Sequence, residues 1–146
     1  MRLHLKNSTA KRRPKTPTRP KALKDGSVPE KVIQKQILDW LKATELLHWR
    51  QNSGNVFVGK RMIRLGDIGL PDIVIVIPPN GRLLGMEIKS AKGRLRPEQE
   101  EFMRAARNCG AFYRVVRSLD QAMDAVAETM GVEQWNQLQQ SGPKSK

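Results

Sequence analysis

Gly69-Leu70-Pro71-Asp72-Ile73-Val74-Ile75-Val76-Ile77-Pro78-Pro79-Asn80-Gly81-Arg82-Leu83-Leu84-Gly85-Met86-Glu87-Ile88-Lys89 is the stretch from which the rest of the chain is read. Residues 73–77 are β-branched throughout, with no polar–apolar alternation, which predicts a strand buried on both faces. Pro78-Pro79-Asn80-Gly81 is turn chemistry, since proline presets φ and Asn-Gly accepts left-handed geometry. Leu83 to Lys89 then returns as a second strand, antiparallel to the first.

Toward the N-terminus, Ser27-Val28-Pro29-Glu30 has the spacing of a helix capping box. Val32, Ile33, Ile37, Trp40 and Leu41 follow at helical spacing, which predicts a helix to about Ala43. Leu46 to Leu65 reads as strands, broken by a turn at Asn52-Ser53-Gly54-Asn55. Gly66, Gly69 and Pro71 punctuate a loop. Beyond Lys89, a basic loop (Lys92, Gly93, Arg94, Arg96) leads to Pro97, where a helix opens and runs to near Gly110. Its predicted buried face is Phe102, Ala105, Ala106 and Cys109. Ala111 to Val116 reads as a strand and Ser118 to Met130 as a helix, with Ser118 as N-cap, Leu119, Ala122, Met123 and Val126 as the apolar face, and Gly131 at its end. The expected fold class is therefore α/β, a mixed central sheet flanked by helices. The expected organisation is a basic, disordered arm over 1–26, one folded domain over 27–131 and a polar tail over 132–146.

The 146 residues suffice for one domain with tails, and carry a net charge of +13. The arm holds nine Lys/Arg against one acid, net +8, and the remainder 18 bases against 13 acids, net +5. Pro14, Pro17 and Pro20 oppose a helix in the arm. Such a surface favours a polyanion, with nucleic acid ahead of an anionic membrane. No apolar run approaches the roughly 20 residues a membrane span needs. The arm reads either as a phosphate-binding tether or as a solubilising tail. With Cys109 as the single cysteine, no internal disulfide forms, which suits a reducing, cytoplasmic setting. The basic N-terminus lacks the apolar segment of a secretory signal, whereas its composition is compatible with a mitochondrial transit peptide.

The chemistry concentrates at Asp72, Glu87 and Lys89. Residues two apart on a strand share a face, so Glu87 and Lys89 project together, and Asp72 heads the neighbouring strand. Three charged groups against an apolar core are costly unless they serve a purpose. Two carboxylates suit a hard divalent cation such as Mg²⁺, and the Ile88 backbone carbonyl offers one more oxygen. The plain alternative is a salt-bridge cluster at a strand edge. His4 and His48 are isolated, so with one cysteine there is no zinc site of usual spacing. No Walker-type glycine loop appears, which argues against a nucleotide cofactor.

Pro71-Asp72, fourteen intervening residues and Glu87-Ile88-Lys89 resemble the PD-(D/E)xK nuclease signature. The wider string of Gly69-Leu70-Pro71-Asp72, Met86-Glu87-Ile88-Lys89-Ser90, Lys92-Gly93, Leu95 and Pro97-Glu98-Gln99 resembles one branch, the VRR-NUC (virus-type replication-repair nuclease) family, over about residues 28–118. The resemblance implies a restriction-endonuclease-like core and a Mg²⁺-dependent endonuclease, with Mn²⁺ able to substitute. It places Asp72, Glu87, the Ile88 carbonyl and Glu30 at the metal, Lys89 at the attacking water, and Gln99 beside a catalytic carboxylate or water. Arg50 and Asn52, which match an Arg-x-Asn pair before Gly54, would contact DNA phosphate or orient an active-site group, the plain alternative being strand-end polarity, and the basic loop residues Lys92, Arg94 and Arg96 would contact DNA. The match departs at Arg96-Pro97, where the family has a Ser or Thr cap that is worth about 1 kcal/mol. It departs again at Gly66-Asp67-Ile68-Gly69, where Asp67 reads as a turn residue.

Stand-alone members of that family are often phage or prophage proteins. They lead to the expectation of a homodimer that cuts branched DNA such as four-way junctions, with no membrane partner. Two other readings are a non-catalytic DNA-binding module that keeps the nuclease fold, and an RNA-directed nuclease.

Overall fold

The computed structural model describes residues 22–51 and 54–140; at 55, 56, 64 and 65 it describes the backbone alone. The elements run α1 (Glu30–Thr44), β1 (Leu47–Arg50), β2 (Gly54–Val58), β3 (Arg61–Leu65), β4 (Ile73–Ile77), β5 (Arg82–Ile88), α2 (Pro97–Asn108), β6 (Phe112–Val116), α3 (Leu119–Met130) and α4 (Val132–Gln140). Four strands form the central sheet in the order β1-β4-β5-β6, and β2 and β3 form a separate hairpin. β4 pairs antiparallel with both β1 and β5, while β6 joins β5 in parallel, so the sheet is mixed and flanked by helices. Most of the expected basic arm (residues 1–21), together with His4, Asn52 and the last residues of the expected tail (141–146), lies outside the described residues.

One face of the sheet carries the core. Ile73, Ile75 and Ile77 of β4 and Leu84, Met86 and Ile88 of β5 meet Ile33, Ile37 and Leu41 of α1 and Ala122, Ala125 and Val126 of α3. Each large aliphatic side chain buried there contributes roughly 1.5–3 kcal/mol. β4 alternates, with its isoleucines buried and Val74 and Val76 only half-buried, so the expectation of burial on both faces is corrected. The reason lies in α2, which packs chiefly against β6 and leaves the sheet face over β4 open. An apolar hollow of about 470 Å³ remains, lined among others by Trp49, Val74, Leu83, Phe102 and Tyr113. Ala105 and Cys109, expected to be buried, are exposed at this hollow.

Three local expectations change. Ser27 does not cap α1: its N–H and hydroxyl both donate to Asp25 Oδ1, at 3.0 and 2.6 Å, and Pro29 is the N-cap residue. Leu46–Leu65 contains a second reversal, the two-residue turn Gly59-Lys60, with Gly59 at φ 62° in the position where a tight hairpin takes glycine. The tail expected from 132 onward begins instead as α4. Trp135 and Leu138 pack on the core, and the Trp135 ring lies 6.3 Å from that of Trp40. The Ser118 cap is as expected, its side chain accepting the Gln121 N–H at 3.2 Å.

Candidate active site

Asp72 and Glu87 are brought together by the pairing of β4 with β5. Ile73 lies opposite Met86, so the start of β4 meets the end of β5. The register is locked by the side chain itself, because Asp72 Oδ2 accepts the Ile88 N–H at 2.8 Å. Glu87 projects from the sheet face opposite the aliphatic core and is 1% exposed. Its Oε1 accepts Lys89 Nζ at 2.6 Å and Gln99 Nε2 at 2.5 Å, and its Oε2 accepts the Tyr113 hydroxyl at 3.5 Å.

Gln99 reaches this position because α2 starts close to the loop before β4. A side chain at Gly69 would meet the Glu98 carbonyl oxygen at 2.3 Å, and Gly69 stands at φ +89°, so the approach requires glycine twice over. Gln99 Oε1 also accepts the Arg96 N–H at 3.0 Å. That bond is the reciprocal half of a capping box and satisfies the N–H of the N-cap residue, while the Gln99 and Glu100 N–H groups donate to the Arg96 carbonyl and Pro97 takes the first turn.

Burial pushes the Asp72 carboxyl above the usual carboxylate range. The Ile88 N–H, Lys89 and Arg50 oppose that shift, and Glu30 adds to it. Burial likewise raises Glu87, against the pull of Lys89, and the charge of Asp72 raises it further. Burial and the same two carboxylates push the Tyr113 phenol upward. Two acids held above their ordinary range by burial, each with a second carboxylate near it (Glu30 for Asp72, Asp72 for Glu87), form a centre that a cation relieves.

The remaining expected residues lie at varying distances from this centre. Glu30 is exposed and its Oε1 accepts the Ser90 N–H at 3.0 Å, which ties the start of α1 to the segment after Lys89. Arg50 is exposed at the end of β1, close enough to act on Asp72. Lys92 faces Asp25 at 3.9 Å, Arg94 is exposed, and Arg96 meets the site only through its backbone.

A sequence model of the VRR-NUC domain matches residues 6–120. The chain belongs to the VRR-NUC family. The match begins inside the basic segment, earlier than the 28–118 covered by the motif resemblance, and it ends within the first turn of α3. A solved structure described as a VRR_NUC domain is similar at 26% identity over 68% of this chain and 94% of that one, with a TM-score of 0.49. No curated protein matches.

In this VRR-NUC chain, sequence reasoning missed Tyr113 and Arg117. Tyr113 read only as a strand residue, though its hydroxyl reaches Glu87. Arg117 donates from Nη1 to the Ser90 carbonyl and braces the segment that Glu30 also holds. An arginine just after a strand carries no local signal of that role. No three His, Cys, Asp or Glu side chains converge into a metal cage among the described residues. The donor set still fits a hard cation. Asp72 Oδ1 accepts no hydrogen bond among the described residues, and Glu87 Oε2 has only the long contact to Tyr113. Mg²⁺ is commonly held by one or two carboxylates, with water and phosphate completing its shell.

Proposed function

We propose that this chain is a divalent-metal-dependent endonuclease that hydrolyses DNA phosphodiesters. The observation that carries the reading is Glu87, only 1% exposed and bonded to Lys89 and Gln99 beside Asp72. Asp72 and Glu87 would hold Mg²⁺ or Mn²⁺, with the Ile88 carbonyl as a further oxygen and Glu30 at the margin. When bound, the metal supplies a Lewis acid for a phosphoryl oxygen and lowers the pKa of water.

The other steps belong to the chain. Lys89 Nζ, bonded to Glu87, would orient the attacking water and offset charge gathering on the phosphate. Gln99 would steady Glu87 through its bond to Oε1, and Tyr113 through its longer contact to Oε2. Arg50, Asn52, Lys92, Arg94 and Arg96 would grip the DNA backbone. The family resemblance supports products with 5′-phosphate and 3′-hydroxyl ends, a preference for branched DNA, and a homodimer offering two sites for two strands.

The competing reading is a DNA-binding module that keeps the fold, and the Lys89–Glu87 ion pair favours it as a structural contact. Labelled four-way junction, flap, linear duplex and RNA substrates, each incubated with Mg²⁺, Mn²⁺ or EDTA, separate the two. Metal-dependent cutting with the junction preferred is expected; binding without cutting would favour the module.

A further inference from the structure

The most exposed group of large apolar side chains beside the site lies on the β2–β3 hairpin. Phe57 is 70% exposed, Met62 60%, Val58 59% and Ile63 46%. The two strands pair with each other and with no strand of the central sheet. Phe57 lies opposite Met62, so the two share one face near the tip, and Val58 lies opposite Arg61 on the other. A two-stranded hairpin is marginally stable alone in water, and one that leaves four such side chains open calls for a partner.

Charge points to the partner's class. Residues 54–65 include Lys60, Arg61 and Arg64 and no acid. Position points the same way. Gln51, three residues before β2, donates its N–H to the Asp72 carbonyl at 2.9 Å, and β3 ends at Leu65, seven residues before Asp72. The chain therefore enters the hairpin from a residue bonded to Asp72 and returns from it, within seven residues, to Asp72.

We propose that the β2–β3 hairpin is a DNA-engaging wedge. Lys60 and Arg61 bind backbone phosphates, and Phe57 and Met62 rest against a base-pair face. This rests on the nuclease reading above and names the substrate feature that the site selects. A continuous duplex presents phosphates and groove edges, which give an apolar tip no partner. A branch point or duplex end uncovers the flat face of a base pair, and apolar wedges also pry such steps open.

The test compares the full native chain with Lys60→Glu/Arg61→Glu and with Phe57→Ala/Met62→Ala. These four positions are exposed, and melting temperatures confirm folding. Binding to a labelled four-way junction and to linear duplex is read by fluorescence anisotropy in EDTA across a salt series, with mass by sedimentation alongside. Charge reversal should weaken both DNAs by at least roughly tenfold and flatten the salt dependence by about two phosphate contacts. The apolar double variant should lose roughly tenfold on the junction, the scale of one stacked base, and bind linear duplex as the native chain does. Native-like junction affinity in both variants would overturn the proposal. So would an affinity loss that only tracks dissociation of a dimer, because the hairpin would then be covered by a second copy of the chain. If the native chain fails to cut DNA with Mg²⁺, the nuclease reading falls, whereas these affinities still decide the hairpin.

Discussion

Gln99 is bonded to Glu87 at 2.5 Å through its amide nitrogen and to the Arg96 N–H at 3.0 Å through its amide oxygen. One side chain thus starts α2 and fixes a buried carboxylate.

Gln99→Leu should therefore fail in two ways. It leaves Glu87 without one of its two short donors and the Arg96 N–H without an acceptor. A lost cap and a lost hydrogen bond to a charged group together cost about 2 kcal/mol. Cleavage should fall at least roughly tenfold through misplacement of Glu87. Single-turnover rates and thermal melts measure both effects, and unchanged values in either would separate Gln99 from the site.

Gly85 gives the second prediction. A Cβ there would stand 3.0 Å from Pro71 Cγ and 3.2 Å from Tyr113 Cδ2. Pro71 precedes Asp72, and Tyr113 touches Glu87, so Gly85→Ala displaces the supports of both carboxylates. The overpacking should cost about 1–3 kcal/mol. The turnover rate should drop while DNA affinity in EDTA holds. A drop in affinity alone would contradict this placement.

Asp72→Asn should make the metal-free protein more stable at neutral pH. Burial raises the folded-state pKa of Asp72 above its unfolded value. The native state therefore binds the proton more readily, and stability falls as pH rises from the unfolded to the folded pKa. Above that window the ionised acid costs stability in full. Asparagine keeps an oxygen for the Ile88 N–H without the charge. The melting temperature in EDTA should rise, with the gain shrinking as pH falls through the folded pKa toward the unfolded one. Added Mg²⁺ should then stabilise the native chain and leave the variant unchanged. Glu87→Gln should show no comparable gain, because it strands Lys89.

The β4–β5 pair was legible in the sequence because a β-branched run, a Pro-Pro-Asn-Gly turn and a second strand leave one antiparallel solution. Asp72, Glu87, Lys89 and Gln99 were legible as a set because strand parity and the motif spacing place them at one end of that pair. The hairpin reversal was missed because Gly59-Lys60 is a weaker signal than the Asn-Ser-Gly-Asn cluster just before it. Helix α4 was missed because its Gln-rich sequence hides its two anchors, Trp135 and Leu138. Tyr113 and Arg117 act across the sheet, over distances in sequence that no local pattern encodes.

Trp135 supplies a further check on the fold. It is half-buried, with its ring against Trp40. Trp135→Ala should cost about 2 kcal/mol, below the range for a fully buried tryptophan. A denaturant melt reads this directly, and a neutral result would mean that α4 is not docked.

The central claim is tested most directly by single-turnover cleavage of a four-way junction with Mg²⁺, comparing the native chain with Lys89→Ala and measuring DNA binding in parallel. The account predicts cutting by the native chain that EDTA abolishes, and a variant at least roughly a hundredfold slower with its DNA affinity retained. Equal cutting by both chains, or binding by both with no cutting at all, would contradict it.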